Sequence, residues 1–558
     1  MPYDPPRQPH PKPSTDPLEI ELVYNIRPCG TCNFFWPEDA AAQPYGPYPS
    51  YDFDSNYPKE RAREKNATSF VWIEGTTRPP SFPDGEVMDG CRKAPIMTIG
   101  INPNLTAFGP GRTGASWCYP SFSSAGGTDS WTKYAYYYRY RSIYQEHFAL
   151  KFSEEFLLAQ GQIKAPMAGT MKEFLRPDDS PAFEIRVQYD GEAQPSAIHI
   201  PGKLGEPQWV VLVDKGERFA AGALLAAQLK VPAGRKTPVY GQPITYYTQM
   251  LPVLTDFEAY LKKKGHAGAQ LRVGEDVGQV DMVACASPHW GPQWLGGTSQ
   301  SVNTIVNKCV HKNAWAMKQL LQTQPAILFL VGQSSWTMFH RSFGHLVTAH
   351  PSIPAVPADG PYTLLRHTVD HDCRIEFQTK VGDEAYRLST RLVITPHFSY
   401  NENFAPQFRL SQDAWKSFAR KHAAAAKFLR TDPRFLFQDK PGAYVSAGIP
   451  KGAKAVLAEL KTKFADAAQA LQPCFYDAHA EMAKVLRQLY DSGSLSWSVG
   501  KGPSGRGYLS RTSGPCQFCD NSHWKFPQGC PYDKPKEKQY PTGFLNEVAK
   551  RAVAQATA

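Results

Sequence analysis

Two hydrophobic patterns alternate along the chain: short, mostly apolar runs, and longer stretches with an apolar residue at every third or fourth position. The first short run is Ile96 to Ile99, inside "APIMTIGINPN". A second, Val280 to Ala284, ends on Cys285. The third is "AILFLVG", Ala326 to Gly332, and the fourth, "RLVITPH", ends on His397. Continuous runs of this length suit strands buried on both faces, which is the habit of parallel sheets. Between the second and third runs, "VNTIVNKCVHKNAWAMKQLLQT" has helical periodicity. After the third, "SSWTMFHRSFG" starts on serines suited to capping and ends on glycine, predicting another helix. The pattern predicts an α/β fold: a three-layer sandwich around a central four-stranded, mostly parallel sheet, with a helical C-terminal region carrying a small metal knuckle.

The flanking segments set the expected domain limits. Residues 1–17 read as a disordered, proline-rich lead-in, followed by "LEIELVYNIRPCGTCNFFWP", a short strand running into Cys29 and Cys32. The α/β domain is expected over 18–410. An insertion interrupts it at about 123–278, with strand-like "AFEIRVQYDG" and "QWVVLVDKG" and a helix in "ITYYTQMLPVLTDFEAYLKKKG". From 411 to 500 the helices "DAWKSFARKHAAAAKFLR", "AKAVLAELKTKFADAAQAL" and "DAHAEMAKVLRQLY" form a basic region. Residues 501–558 form a Cys/His segment, reached through a flexible basic loop, "SVGKGPSGRGYLSR".

Composition narrows the function. A chain of 558 residues exceeds what one core usually supports, so two or three domains are expected. No apolar run approaches the roughly 18 residues of a membrane span, and the first residues lack an apolar signal core. A cytoplasmic protein is therefore expected. In that compartment the eleven cysteines favour metal ligation or burial over disulfides. The net charge of +10 lies wholly after residue 410, where 22 Lys and Arg face 12 Asp and Glu. Such an excess suits a phosphate backbone, and it equally suits a solvated basic surface.

In parallel sheets, ligand sites form beyond the carboxyl ends of the strands. Asn102, Cys285, Gly332 and His397 each follow an expected strand. Near the C-terminus, Cys516, Cys519, His523 and Cys530 have the spacing C-x2-C-x3-H-x6-C, which offers four soft ligands to a closed zinc site. An iron-sulfur centre recruiting Cys474 is the other reading of that group.

"GINPN" after the first strand, "DMVACASP" after the second, "ILFLVG" as the third and "ITPHFSYNENF" after the fourth stand in an order that resembles the uracil-DNA glycosylase superfamily. The resemblance covers roughly residues 25–410, outside the insertion. "GINP" resembles the mismatch-specific branch. The CxxC with two later cysteines resembles the iron-sulfur branch. The resemblance implies removal of uracil or a related damaged base from single- or double-stranded DNA, with the nucleotide flipped from the stack. It gives Asn102 the positioning of the attacking water, and His397 the stabilisation of the departing base. Gly100 would let the backbone approach the ligand, Tyr119 or Phe122 would stack on the base, and Ser399 and Asn401 would contact DNA. Cys29, Cys32, Cys285 and Cys309 would hold a 4Fe-4S cluster. Asn104 stands where the mismatch-specific pattern has glycine, which leaves open a catalytically inactive nucleic-acid-binding protein that keeps the fold.

Overall fold

The computed structural model describes residues 87–90, 94–101, 249–271, 276–284, 299–355, 360–432, 452–499 and 543–555, with short segments elsewhere. Its centre is a six-stranded sheet. In chain order the strands are β1 (Ile96–Gly100), β2 (Val277–Asp281), β3 (Ile327–Val331), β4 (Val347–Thr348), β5 (Arg374–Val381) and β6 (Glu384–Thr395). Their spatial order is β2-β1-β3-β6-β5-β4. The first four are mutually parallel, and β5 and β4 add antiparallel at the β6 edge.

The sheet thus has six strands where the apolar runs predict four. The added strands are β4 and β5, and β5 forms a hairpin with β6 that turns at Gly382 with φ of 61°. Its half-buried outer part alternates apolar and polar residues, so the apolar run marks only residues 391–395 of β6. Positions 384–389 of β6 bury every second residue, whereas 390–395 are buried throughout.

That change of pattern reports helices on both faces. Tyr386 donates its hydroxyl to the carbonyl of Leu321, in the helix Trp315–Thr323, and packs against Phe544 of the helix Phe544–Ala554. Arg391, five residues on and so on the opposite face, donates to the carbonyl of Thr368 in the helix Pro361–Asp370. The helices Met250–Lys263 and Ala478–Asp491 pack together and join the layer of Pro361–Asp370. The helix Met250–Lys263 buries Val253, Leu254, Phe257 and Leu261, spaced at three and four, in the main core.

Other segments differ from their expected form. Leu22, Asn25 and Ile26 are helical where a strand is expected, and Leu22 and Ile26, one turn apart, both reach the main core. The periodic stretch after β2 is not one helix: Ser299–Ile305 passes into a π-helix, Val306–Asn313, and Ala314 takes a left-handed conformation before Trp315–Thr323 begins. Residues 498–499 and 507–511 of the expected flexible loop "SVGKGPSGRGYLSR" are strand, in the hairpin Leu495–Val499 with Gly507–Arg511. Between β1 and β2, strand segments from Phe148–Lys151 to Tyr240–Pro243 form a second six-stranded sheet, which includes Arg186–Gln188 and Val210–Leu212.

A second core gathers Phe408, Leu410, Trp415, Phe418, Leu429, Val456, Leu460 and Leu471. It is built on a three-stranded sheet, Val445–Ala447, Gln407–Leu410 and Phe475–Tyr476, with helices Gln412–Lys421, Ala423–Thr431, Gly452–Lys463 and Ala465–Leu471. The chain then returns to the main core through Ala478–Asp491, whose Asp477 caps it by accepting from the Ala480 amide.

Candidate active site at the carboxyl edge of the sheet

Because β2, β1, β3 and β6 are parallel, their carboxyl ends open on one edge. Ile99 is in register with Leu330, and Leu330 with Ile394. Counting on, Ile101 stands level with Pro396, and Asn102 and His397 are each the next residue. One strand, β3, lies between their two strands, so those strands are about 10 Å apart at the usual spacing. The ladder holds firm up to this point: the Gly100 carbonyl accepts from Met282 N and the Ile101 carbonyl from Val283 N, both at 3.0 Å.

His397 is set by its neighbours. Its Nδ1 accepts a hydrogen bond from the Ser399 amide at 3.2 Å, which places the ring proton of the neutral imidazole on Nε2. Burial lowers its pKa below the ordinary histidine value, so the neutral form prevails at pH 7. The ring lies against Gly332, where an added Cβ would come 3.1 Å from Cδ2. Gly332 has φ of 91° and begins the helix Gln333–Phe343 with no side-chain cap. The predicted serine cap is not formed: Ser335 instead donates to the carbonyl of Val331.

The loop after His397 forms the rim. Tyr400 stands 5.4 Å from the His397 ring and is 53% exposed, the one exposed large hydrophobic among the described residues. Ser399 is also exposed, and Asn401 opens a short 3-10 turn whose Asn403 accepts from Tyr362 Oη at 2.9 Å. Beneath the rim, Phe398 meets Phe404, and Phe404 stacks on His479 at 5.1 Å. His479 Nε2 is 2.9 Å from Gln249 Oε1, and burial pushes its pKa down to about 4. Gly360 packs against the Gln333 side chain, bringing the helix Pro361–Asp370 to the same edge. Gln333, Tyr362 and His479 are not in the set read from sequence. The glycine-proline pair Gly360-Pro361, a helix-start signal, is the feature that points to Tyr362.

Of the other expected residues, Gly100 is buried at the end of β1. Tyr119 lies in the strand Trp117–Tyr119, which pairs in parallel with Phe70–Trp72 and not with the main sheet. Cys309 is buried in the π-helix, and its Sγ accepts from the Ala284 amide at 3.5 Å, one residue before Cys285. Cys474 sits in a 3-10 turn against the second core, where burial raises its thiol pKa. Asn102, Phe122, Cys29, Cys32, Cys285, Cys516, Cys519, His523 and Cys530 lie outside the described residues. Among the described residues no group of three or more His, Cys, Asp or Glu side chains is placed to hold a metal, and no helix is long and apolar enough to cross a membrane. No family model, curated protein or solved structure matches the chain.

Proposed function

We propose that the chain is a DNA glycosylase that hydrolyses the N-glycosidic bond of uracil or a related damaged base at the carboxyl edge of the main sheet. The observation that carries this reading is the setting of His397: it follows β6 at the carboxyl edge, lies against Gly332, and accepts at Nδ1 from the Ser399 amide, which leaves the proton of a neutral imidazole on Nε2. As the bond between the sugar and the base breaks, the electron pair leaves with the base and charge builds on a base oxygen. An N–H donor there stabilises that charge by hydrogen bonding to the oxygen. Asn102, which follows Ile101 in the chain, would hold the water that adds to the sugar carbon, and the water's proton passes to solvent. An asparagine serves by orienting that water, being a very weak base. In this reading, the sheet and its two helical layers are the three-layer sandwich that the resemblance implies.

Cys29, Cys32, Cys285 and Cys309 are the proposed thiolates of a 4Fe-4S cluster. The fit rests on Cys309, whose buried sulfur takes a hydrogen bond from the amide of Ala284, the residue before Cys285 in the chain, as cluster sulfurs take amide hydrogen bonds. Ile26, three residues before Cys29 in the chain, lies in the main core. A bound cluster would act structurally, tying this segment to the end of β2. Zinc is proposed for Cys516, Cys519, His523 and Cys530.

The test is incubation with uracil-containing single- and double-stranded oligonucleotides, then alkali. Strand breaks are expected with wild type, falling by about 10²–10³ in Asn102→Ala or His397→Ala, the usual loss for one oriented donor. Shifted gel bands without breaks would make the chain a binding protein instead.

A further inference from the structure

We propose that the helix pair Gln412–Lys421 and Ala423–Thr431 is the surface that grips the sugar-phosphate backbone of the substrate strand. The proposal shares the nucleic-acid premise of the reading above and does not require its chemistry. Residues 407–476 hold twelve Lys and Arg against five Asp and Glu, so this small unit carries +7 of the chain's +10.

The helix pair sorts its residues cleanly. Trp415, Phe418, Ala425, Ala426 and Leu429 face the second core. Lys416, Arg420, Lys421, Lys427 and Arg430 are exposed. The exposed acid of the pair, Asp413, lies 3.8 Å from Lys416, a separation that leaves little neutralisation in water. The Arg430 guanidinium stands 5.9 Å from the Trp415 ring, so the end of the second helix folds back beside the start of the first.

The unit is also fixed at the rim of the candidate site. Its strand Gln407–Leu410 follows directly on the His397 loop. Arg409 lies 4.5 Å over the ring of Tyr362, whose hydroxyl holds Asn403 of that loop. Arg366, one turn further along the Tyr362 helix, donates to the carbonyl of Phe475 and stacks on Tyr476. A strand whose base reached His397 would therefore leave its backbone beside this unit. A membrane-surface helix would turn its apolar face outward. Here Trp415 and Phe418 are buried in the protein's own core, which favours a phosphate backbone over a lipid surface.

The experiment is a salt titration of full-length protein binding to undamaged, fluorescein-labelled single-stranded and duplex oligonucleotides, read by anisotropy. The variant R420Q/K421Q/K427Q is expected to bind at least 10-fold more weakly at low salt, with the slope of log K against log salt reduced by roughly two to three. The control K461Q/K463Q, on another helix of the same unit, is expected to keep most of the wild-type slope, and circular dichroism to be the same for all. Equal slope losses in both variants, or none in the first, overturn the proposal. So does a first variant that releases phosphatidylserine vesicles yet still holds oligonucleotides. Because the probe carries no damaged base, absence of glycosylase activity leaves this readout intact.

Discussion

At the residue scale, His397 is controlled by two small neighbours, the amide of Ser399 and the hydrogen-only side chain of Gly332. Gly332→Ala combines a left-handed backbone with a Cβ only 3.1 Å from the imidazole, so either the ring or the turn must move. A loss of about 1–3 kcal/mol in urea unfolding is expected, together with a fall in uracil release larger than that of any exposed-loop substitution. His479 offers a pH prediction. Its folded pKa, about 4, lies below the ordinary 6.5, so between those values the unfolded chain binds more protons than the folded one. The stabilising effect of the neutral ring is complete above pH 6.5 and is lost as pH falls toward 4, by about 3 kcal/mol in total. His479→Gln should flatten the fall of melting temperature with acid across that window. A parallel acid dependence in the variant would show that other groups control it.

Among elements, legibility follows how a segment is buried. β1 and β3 are covered on both faces, so their apolar runs mark them directly. β5 and the first half of β6 have one face open, and their alternation with a Gly382 turn was the signal that a search for unbroken runs passes over. The helix after β2 reads as continuous because three-and-four spacing cannot distinguish an α-helix from a π-helical insertion that keeps Val306, Cys309 and Val310 inward. The break at Ala314 has no glycine to announce it. A left-handed alanine there, φ 51° and ψ 40°, is strained, and Ala314→Gly is expected to raise stability by up to about 1 kcal/mol in thermal unfolding. A destabilised variant would mean that the methyl group's packing outweighs the backbone strain.

At the scale of the molecule, the charge excess and the mostly parallel run of the main sheet were legible, and the strand order and the joining of parts were not. The basic excess after residue 410 is plain in the sequence, but its concentration on one small core emerges only when the apolar faces of four helices are seen to meet. Nor does helical periodicity say that Ala478–Asp491 and Phe544–Ala554 return to cover the main sheet, since an amphipathic helix reports that it has a partner and not which one. The shared edge of the parallel strands was legible, because strands joined through helices run the same way. The central claim is that the side chains at 102 and 397 act on one nucleotide there. A double-mutant cycle on single-turnover uracil release tests it most directly, using Asn102→Ala, His397→Ala and the pair. Groups that serve one transition state lose activity non-additively, so the double variant is predicted to fall little below the worse single variant. Fully additive losses, or a wild-type protein that binds the oligonucleotide and releases no base, would contradict the account.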